Sequence, residues 1–505
     1  MNEPLIPIPT VRLGSAARGS MPPHAAADSG GWRATWTDST GSRVQAATPL
    51  AAGSWTLPVP QPEAETVGGA PTEAGPEGFL ASARHRGEHI ALRSGRRVPG
   101  VAPQFPGAGL VVCRAGSAGW TDLAFADDPP DGEIFAAALS VAADDLLAVY
   151  LVSNGRGGVE CRALRYSLAS ARPVASHWRH LPDFPRHPGV AAVMAGVNGG
   201  ALIAAGGANF PDLPPWEGGV KKTYDEIFVL PAGATAWQPA GRLPEPRAYA
   251  AMVSVPGGVL AVGGENATGF FQDVVWLHWD GREVTTRPGP ALPVPVASPV
   301  AAVLGGKVYL AGGYAPGPPR VSTTSFLCLD LANTSAGWQT LPSWPGPSRA
   351  LAVMAALNGA IYLISGLEMS AGTDGQPQMN YLTDAYRYRP GSTWEKLPDL
   401  PWSVIAAPSP APVTIAPERI FVFGGVDGRQ VGKVPRDRRV PEDILYFDVA
   451  RHEWLLWAEV WPEPVVSAPP VVVGNEWIFV SGETKAGHRT TAVMAWRPSN
   501  PTNQS

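Results

Sequence analysis

The chain has 505 residues, more than one domain of ordinary size needs, so its length predicts at least two domains. It contains 57 glycines and 55 prolines, a composition that favours many short strands and turns over long helices. A formal net charge of −5 excludes the basic field of a nucleic-acid-binding protein, and no apolar run reaches the ~20 residues of a membrane-spanning helix.

The first 29 residues are rich in proline, alanine and serine, which predicts a flexible N-terminal segment. The segment lacks the apolar core of a secretory signal, so we expect a soluble, cytoplasmic protein that has no membrane partner. The cysteines Cys113, Cys161 and Cys328 are widely spaced without metal-ligand spacing, and we expect them to be reduced packing residues.

Residues 30–172 contain short apolar or alternating runs, such as 109–113 and 146–152, separated by glycine and proline turns. This pattern is typical of a β-rich, sandwich-like accessory domain, and the sequence gives no indication of its role. The alternative is a set of degenerate propeller blades. No glycine pair occurs here at a blade-like spacing, which disfavours that alternative.

From residue 176 to residue 500 the chain repeats a two-residue glycine step that closes a short apolar strand. Successive steps are 49 to 59 residues apart, and the six are Gly206-Gly207, Gly263-Gly264, Gly312-Gly313, Ser365-Gly366, Gly424-Gly425 and Ser481-Gly482. A period near 50 residues in strand-rich units is typical of kelch-type β-propeller blades. The sequence therefore predicts an all-β protein in which a six-bladed propeller follows the accessory domain.

Tryptophans and Leu-Pro pairs mark the same units, but the marks are out of phase at the two ends. Trp178 precedes the first glycine step, whereas the last unit stops after residues 492–496 without a fourth strand. We predict that the strand around residues 176–180 pairs with the strand around 491–496, so that the ring closes without a free edge.

Four segments of the ring carry a family resemblance: residues 204–224 (AAGGANFPDLPPWEGGVKKTY), 246–249 (PRAY), 262–265 (VGGE) and 481–493 (SGETKAGHRTTAV). They closely resemble the N-acetylneuraminate epimerase (sialic acid mutarotase) family of bacterial kelch propellers, over about residues 176–500. In the secreted form of that family, the segment similar to 481–493 comes before the one similar to 204–224. The order here resembles the circularly permuted form.

The resemblance implies a site and a reaction. Glu483 and Arg489 match the acidic and basic residues of the family's proposed active site, in the pattern Gly-Glu-x-Lys-x-Gly-x-Arg. A weaker resemblance adds the substrate-binding candidates Lys485, Glu265, Arg247, Tyr249, Asn209 and Lys222. The implied substrate is a small sugar acid, N-acetylneuraminate, whose anomers interconvert by acid–base ring opening and closure. That chemistry needs neither a metal nor a redox cofactor.

Structural alternatives exist for several of these residues. Glu483 or Glu265 could be a turn residue that accepts backbone N–H groups, and Arg489 could be a solvated charge. Arg247 and Arg349 recur at matching positions, which is also typical of a bridge between neighbouring blades. Lys222 could belong to a polar strand end.

Two other functional classes are open to a kelch ring. One is a non-catalytic platform that binds proteins or glycans, although no recruiting domain is recognisable. The other is a copper-radical oxidase, which would need a tyrosine–cysteine pair with two histidine ligands. Only Cys328 lies in the ring, and no clear ligand set accompanies it. The sequence does not indicate the oligomeric state.

Overall fold

The computed structural model describes residues 178–497, except 373–374, 431, 433–437, 439 and 458–460, and before residue 178 it describes the strands with a few adjoining residues. The chain divides into two compact units. The first comprises Met1–His177, Trp457–Pro462 and Ser499–Ser505, and the second comprises Trp178–Leu456 and Glu463–Pro498. The described residues contain strands and three 3₁₀ helices but no α-helix, and none of their helices could span a bilayer.

The strands of the first unit are β1 (Val11–Ala16), β2 (His24–Asp28), β3 (Gly31–Thr37), β4 (Arg43–Thr48), β5 (Val59–Pro60), β6 (Ala81–His85), β7 (Glu88–Ser94), β8 (Gly109–Gly116), β9 (Gly119–Asp127), β10 (Ile134–Ala142), β11 (Asp145–Ser153), β12 (Val159–Ser167) and β13 (Arg172–Pro173). They form three antiparallel sheets among the described residues. The orders are β2-β3-β4-β5, β6-β7-β8-β9 and β1-β12-β11-β10, with β13 paired to β12.

The third of these sheets lies between the other two. On β11, Leu146, Ala148 and Tyr150 pack with residues of β6 to β8. The alternate residues Leu147 and Val149 pack with residues of β2 to β4. Because successive side chains of a strand point to opposite faces, a strand buried on both faces must be apolar throughout, which explains the continuous apolar run in β11. The sandwich-like character predicted for this region is present here as three layers.

The prediction of a flexible N-terminal segment is corrected where β1 and β2 form. Strand β1 pairs with β12, and Leu13, Ala16 and Ala25 are buried. A stretch rich in alanine resembles a flexible segment in composition, yet small side chains fit a closely packed sheet interface. The remaining parts of residues 1–29 lie outside the described residues.

The strands of the second unit are β14 (Trp178–Leu181), β15 (Met194–Asn198), β16 (Ala201–Ala205), β17 (Ala208–Asn209), β18 (Lys222–Thr223), β19 (Glu226–Leu230), β20 (Gln238–Arg242), β21 (Ala251–Val255), β22 (Gly258–Val262), β23 (Glu265–Asn266), β24 (Gly269–Phe270), β25 (Val274–Trp279), β26 (Val284–Gly289), β27 (Val300–Leu304), β28 (Lys307–Ala311), β29 (Tyr314–Ala315), β30 (Val321–Ser322), β31 (Phe326–Asp330), β32 (Gln339–Thr340), β33 (Val353–Leu357), β34 (Ala360–Ala371), β35 (Pro377–Tyr388), β36 (Trp394–Leu397), β37 (Val413–Ile415), β38 (Glu418–Phe423), β39 (Ile444–Asp448), β40 (Glu453–Leu456), β41 (Pro470–Val473), β42 (Glu476–Val480), β43 (Glu483–Lys485), β44 (His488–Arg489) and β45 (Val493–Trp496). The 3₁₀ helices are Pro215–Glu217, Thr334–Ala336 and Gly428–Gln430.

Within the described residues, this unit is a six-bladed β-propeller made of six four-stranded antiparallel sheets. Blade 1 is β15-β16-β19-β20, blade 2 is β21-β22-β25-β26, blade 3 is β27-β28-β31-β32, blade 4 is β33 to β36, blade 5 is β37 to β40, and blade 6 is β41-β42-β45-β14. Apolar clusters join consecutive blades around the ring. Between blades 5 and 6 the contacts are aromatic, with the Phe423 and Trp496 ring centroids 5.0 Å apart.

The predicted ring closure is confirmed. Strand β14 pairs antiparallel with β45, with Trp178 opposite Trp496 and Leu181 opposite Val493. The N-terminal strand of the unit thus completes the sheet formed by its C-terminal strands. Residues 176–177 of the predicted strand lie outside the described residues.

The recurring tryptophans join the outer strands of neighbouring blades. The Trp338 indole N–H of blade 3 donates a hydrogen bond to the Pro290 carbonyl of blade 2, at 2.9 Å. The same bond recurs at other blade boundaries, from Trp237 to Pro182, Trp394 to Pro342 and Trp454 to Pro398. Proline has no N–H and cannot extend the strand ladder, but its carbonyl is available to the next blade.

The glycine steps are required by both conformation and space. Gly312 has φ +64°, and a Cβ there would lie 2.3 Å from the Arg349 backbone oxygen. Where serine replaces the first glycine, its hydroxyl bonds to the next blade. Ser481 has φ 56°, and its Oγ accepts the Val190 N–H at 2.8 Å, which compensates for the unfavourable backbone conformation.

Candidate functional site

A ring of six backbone residues surrounds the central cavity of the propeller, one at the entrance to each blade. All have left-handed φ angles between 52° and 58°, and they are Ala192, Tyr249, Ser298, Leu351, Ala406 and Ser467. In five of them the N–H donates to the carbonyl of the ring residue in the preceding blade. Tyr249 contributes the largest polar side chain of the six, so most of the cavity wall offers little chemistry.

The chemistry lies above this ring, where each glycine step leads into a hairpin or loop. The residue that follows each glycine step forms an antiparallel backbone bridge with the residue that precedes a member of the ring. The residues that follow the six steps are Ala208, Glu265, Tyr314, Leu367, Val426 and Glu483. Because the second strand of every blade runs in the same direction, these six positions lie at one end of the propeller. We call this end the mouth.

Glu483 and Arg489 face each other on the hairpin of β43 and β44. Arg489 Nη2 lies 2.9 Å from Glu483 Oε2, and the side chains are 3% and 22% exposed. Glu483 Oε1 also accepts the Gly487 N–H at 3.2 Å. Burial raises the pKa of Glu483 above its ordinary value, while Arg489, the Gly487 amide and Lys221 act in the opposite direction. A carboxyl of this kind can exist in the neutral acid form closer to neutral pH.

Arg489 has hydrogen-bonding capacity that the described residues do not use. Its guanidinium lies 5.3 Å from the centre of the Phe210 ring. Its Nε and Nη1 are buried without a hydrogen-bond partner among the described residues. Unsatisfied buried donors are unfavourable, so a ligand oxygen that accepts from them would be stabilised.

Lys221 is a member of this site that sequence reasoning did not select. Its Nζ lies 3.3 Å from the Tyr249 hydroxyl and 4.8 Å from the centre of that ring. The selected neighbour, Lys222, instead lies 5.3 Å from the Tyr224 ring. Adjacent residues on an extended chain point in opposite directions, and the sequence offered no signal of which lysine faced the mouth.

Two predicted substrate-binding residues are occupied by structural contacts. Asn209 is fully buried, where it donates to the Gly189 carbonyl at 2.8 Å and accepts the Tyr224 hydroxyl at 2.9 Å. Arg247 is 2% exposed and donates to the Gly263 carbonyl and to Asp273.

The backbone of Arg247 connects two blades. Its carbonyl accepts the Gly207 N–H of blade 1, while its guanidinium bonds within blade 2. Arg349 repeats this arrangement with Gly313, Ser365 and Asp384. These contacts match the structural alternative considered for both arginines. Lys485, another predicted residue, lies half-buried on β43 opposite His488.

Glu265 forms a second glutamate–arginine ion pair at the mouth. Its Oε2 lies 2.8 Å from Nη2 of Arg320, which belongs to the β29–β30 connection of blade 3. Tyr314 adjoins this pair, and burial raises its pKa to about 12, with Arg320 opposing the shift and Glu265 and Tyr381 adding to it. Sequence reasoning missed Arg320 because the pair forms across a blade boundary.

A family model described as N-acetylneuraminate epimerase matches residues 130–286 and 289–434, more than half of the chain. The chain belongs to the N-acetylneuraminate epimerase family. The match begins within the first unit, which corrects the expected N-terminal bound of about residue 176, and it ends before Glu483. The roles of Glu483 and Arg489 therefore stay predictions.

Curated relatives in the N-acetylneuraminate epimerase family share moderate identity with the chain. The protein of that name from Brucella melitensis is 31% identical over 154 residues, which are 27% of this chain and 39% of the relative. Those from Haemophilus influenzae and Vibrio cholerae are 26% identical over 227 and 236 residues, or 40% and 41% of this chain and 57% and 58% of the relatives. The chain thus spans about half the length of these relatives.

Proposed function

We propose that this protein is a sialic acid mutarotase, an isomerase that interconverts the α and β anomers of N-acetylneuraminate. The observation that carries the proposal is the Glu483–Arg489 pair, in which a carboxyl of raised pKa adjoins a guanidinium with unused donors. The family membership and the names of the relatives support the same substrate.

Arg489 and Lys221 bind the substrate carboxylate in this proposal. A guanidinium and an ammonium group together attract an anion, and Glu483 cancels only one of these positive charges. The Nε and Nη1 donors of Arg489 are buried, so the proposal requires the side chain to move before the substrate carboxylate can accept from them. Charge-assisted hydrogen bonds of this kind are stronger than neutral ones.

Glu483 then supplies the proton for ring opening. Its acid form protonates the ring oxygen as the bond between that oxygen and the anomeric carbon breaks, and the anomeric hydroxyl gives its proton to water. Rotation exposes the other face of the resulting ketone, and the reverse steps close the ring. These steps conserve atoms and charge, and acid–base groups suffice without a cofactor.

The Glu483→Gln variant tests the proposal. Glutamine keeps the shape of the side chain but cannot transfer a proton, so we expect turnover to fall by roughly 10²–10⁴-fold with little change in substrate binding. Proton NMR of freshly released N-acetylneuraminate measures the rate of anomer equilibration above the spontaneous rate.

The matched control is Glu395→Gln, which removes a carboxylate from an exposed ion pair with Arg387 on blade 4. Unchanged turnover in Glu483→Gln, with melting temperature preserved, would exclude Glu483 from the chemistry. Wild-type protein that binds the sugar without accelerating its equilibration would support the non-catalytic platform instead.

A further inference from the structure

The mouth carries two glutamate–arginine pairs at equivalent blade positions. Glu483 and Glu265 each follow a glycine step, and each pairs through its backbone with the residue before a ring member. Their arginines come from different places: Arg489 lies on the same hairpin as Glu483, whereas Arg320 reaches Glu265 from the next blade. The second pair is not part of the acid–base chemistry proposed above.

The two pairs differ in charge. Lys221 adds a positive charge beside Glu483 and Arg489. Its ammonium group attracts the Glu483 carboxylate electrostatically. Tyr314 lies beside Glu265 and Arg320, which both act on it electrostatically, and Tyr381 acts on the same tyrosine. The first pair therefore favours an anion, while the second has balanced charge and favours a neutral group rich in hydroxyls.

The second pair also offers both kinds of hydrogen-bonding group. Glu265 is 6% exposed, and its Oε2, although close to Arg320, makes no aligned hydrogen bond in the described residues. Arg320 is 45% exposed at its side chain and has further N–H donors. A vicinal diol both donates and accepts, so it can satisfy a carboxylate and a guanidinium at once.

Tyr249 connects the two pairs. Its hydroxyl contacts Lys221, which lies beside Glu483. Its backbone follows Ala248, which exchanges two hydrogen bonds of 2.8 and 3.0 Å with Glu265. One polar wall thus runs from the anion-binding pair to the charge-balanced pair.

We infer that Glu265 and Arg320 form a second subsite that binds the hydroxyl-rich tail of the substrate, so that the protein selects long sugar acids carrying an exocyclic polyol. This inference rests on the proposed function, because the first pair must hold the carboxylate at the other end. It assigns specificity to Glu265 and Arg320 and leaves proton transfer with Glu483.

Two substrates and one variant test the inference. N-acetylneuraminate is compared with a derivative whose glycerol tail is shortened by periodate cleavage and borohydride reduction while the sugar is protected as a glycoside, which is then hydrolysed to the free sugar. We expect Arg320→Gln to raise KM for the full-length sugar about tenfold, the loss of a hydrogen bond to a charged group, and to leave KM for the shortened sugar within about twofold. The kcat values should stay within about twofold for both sugars.

The control is Arg387→Gln, which removes an arginine that also pairs with a glutamate, Glu395, at the end of blade 4 that lies away from the mouth. If Arg320→Gln unfolds, Arg320→Lys replaces it and should raise KM for the full-length sugar alone. An equal change in KM for both sugars, or none, would overturn the inference.

Ligand-observed NMR separates this inference from the proposed function. If wild-type protein binds both sugars without accelerating either, the mutarotase proposal fails. The subsite is then supported if saturation transfer to the tail protons is present in the wild type and lost in Arg320→Gln. Tail protons that receive no saturation from the wild-type protein would refute it.

Discussion

Glu483 is subject to opposing electrostatic influences. Burial disfavours its carboxylate, whereas Arg489, the Gly487 amide and Lys221 favour it. Burial is the largest of these influences and raises the pKa of Glu483, so the acid form persists to a higher pH than in an exposed glutamate. A residue that gives up and regains a proton in each catalytic cycle benefits from a shift in this direction.

The pH dependence of turnover follows from the direction of this shift. If the acid form of Glu483 protonates the ring oxygen, turnover falls as pH rises through its pKa. The midpoint should lie above the ordinary pKa of glutamate. Rates of equilibration across pH, corrected for the spontaneous reaction, measure this limb. Its persistence in Glu483→Gln would assign it to another group.

The neighbouring lysines provide a matched pair of variants at the mouth. Lys221 contacts Tyr249 near Glu483, whereas Lys222 faces Tyr224. We expect Lys221→Gln to raise KM about 3- to 10-fold, because a partly screened charge contributes about 1 kcal/mol to anion binding. Lys222→Gln should leave KM within about twofold. Equal effects of the two substitutions would contradict the assignment of Lys221.

At the scale of the element, a blade boundary combines apolar packing with one specific hydrogen bond. Trp338→Phe keeps most of the aromatic packing but leaves the Pro290 carbonyl without its indole donor. We expect the free energy of unfolding to fall by about 1–2 kcal/mol. Urea denaturation measures the change, with Trp216→Phe as a control at an indole that is 40% exposed. Equal stability of Trp338→Phe and wild type would show that packing alone joins the blades.

At the scale of the whole molecule, the ring could be predicted because each blade needs the same local features. Left-handed backbone at the glycine steps and an indole donor at the outer strand recur with the blade period. The contact between Glu483 and Arg489 lies within one hairpin, and both residues belong to one short motif of the family resemblance. The pair of Glu265 and Arg320 depends on how two blades meet, and the sequence carries no local signal of that.

The first unit was harder to predict for a related reason. Its three sheets have no repeated sequence motif. The sequence therefore showed only single strands, as apolar runs or as alternating apolar and polar residues. Asn209 shows the same limit at one residue, since a polar side chain after a glycine step looks exposed in the sequence. In the structure it is buried and hydrogen-bonded to Gly189 and Tyr224.

Strand β14 joins the N-terminal end of the propeller to its C-terminal strands. On it, Trp178 is 7% exposed and packs against Phe423, Phe479 and Trp496 at the boundary of blades 5 and 6. We expect Trp178→Ala to lower the free energy of unfolding by about 3–5 kcal/mol, because it leaves a cavity where the two ends of the propeller meet.

The adjacent residue supplies the control for this prediction. Arg179 bonds to Glu476 at the surface, through Nε at 2.8 Å, and its side chain is 52% exposed. Arg179→Ala should therefore cost less than about 1 kcal/mol. Urea denaturation of both variants, followed by circular dichroism, gives the comparison. If Trp178→Ala is no less stable than Arg179→Ala, then β14 does not hold the ring closed, and the remaining contacts of blade 6 must do so.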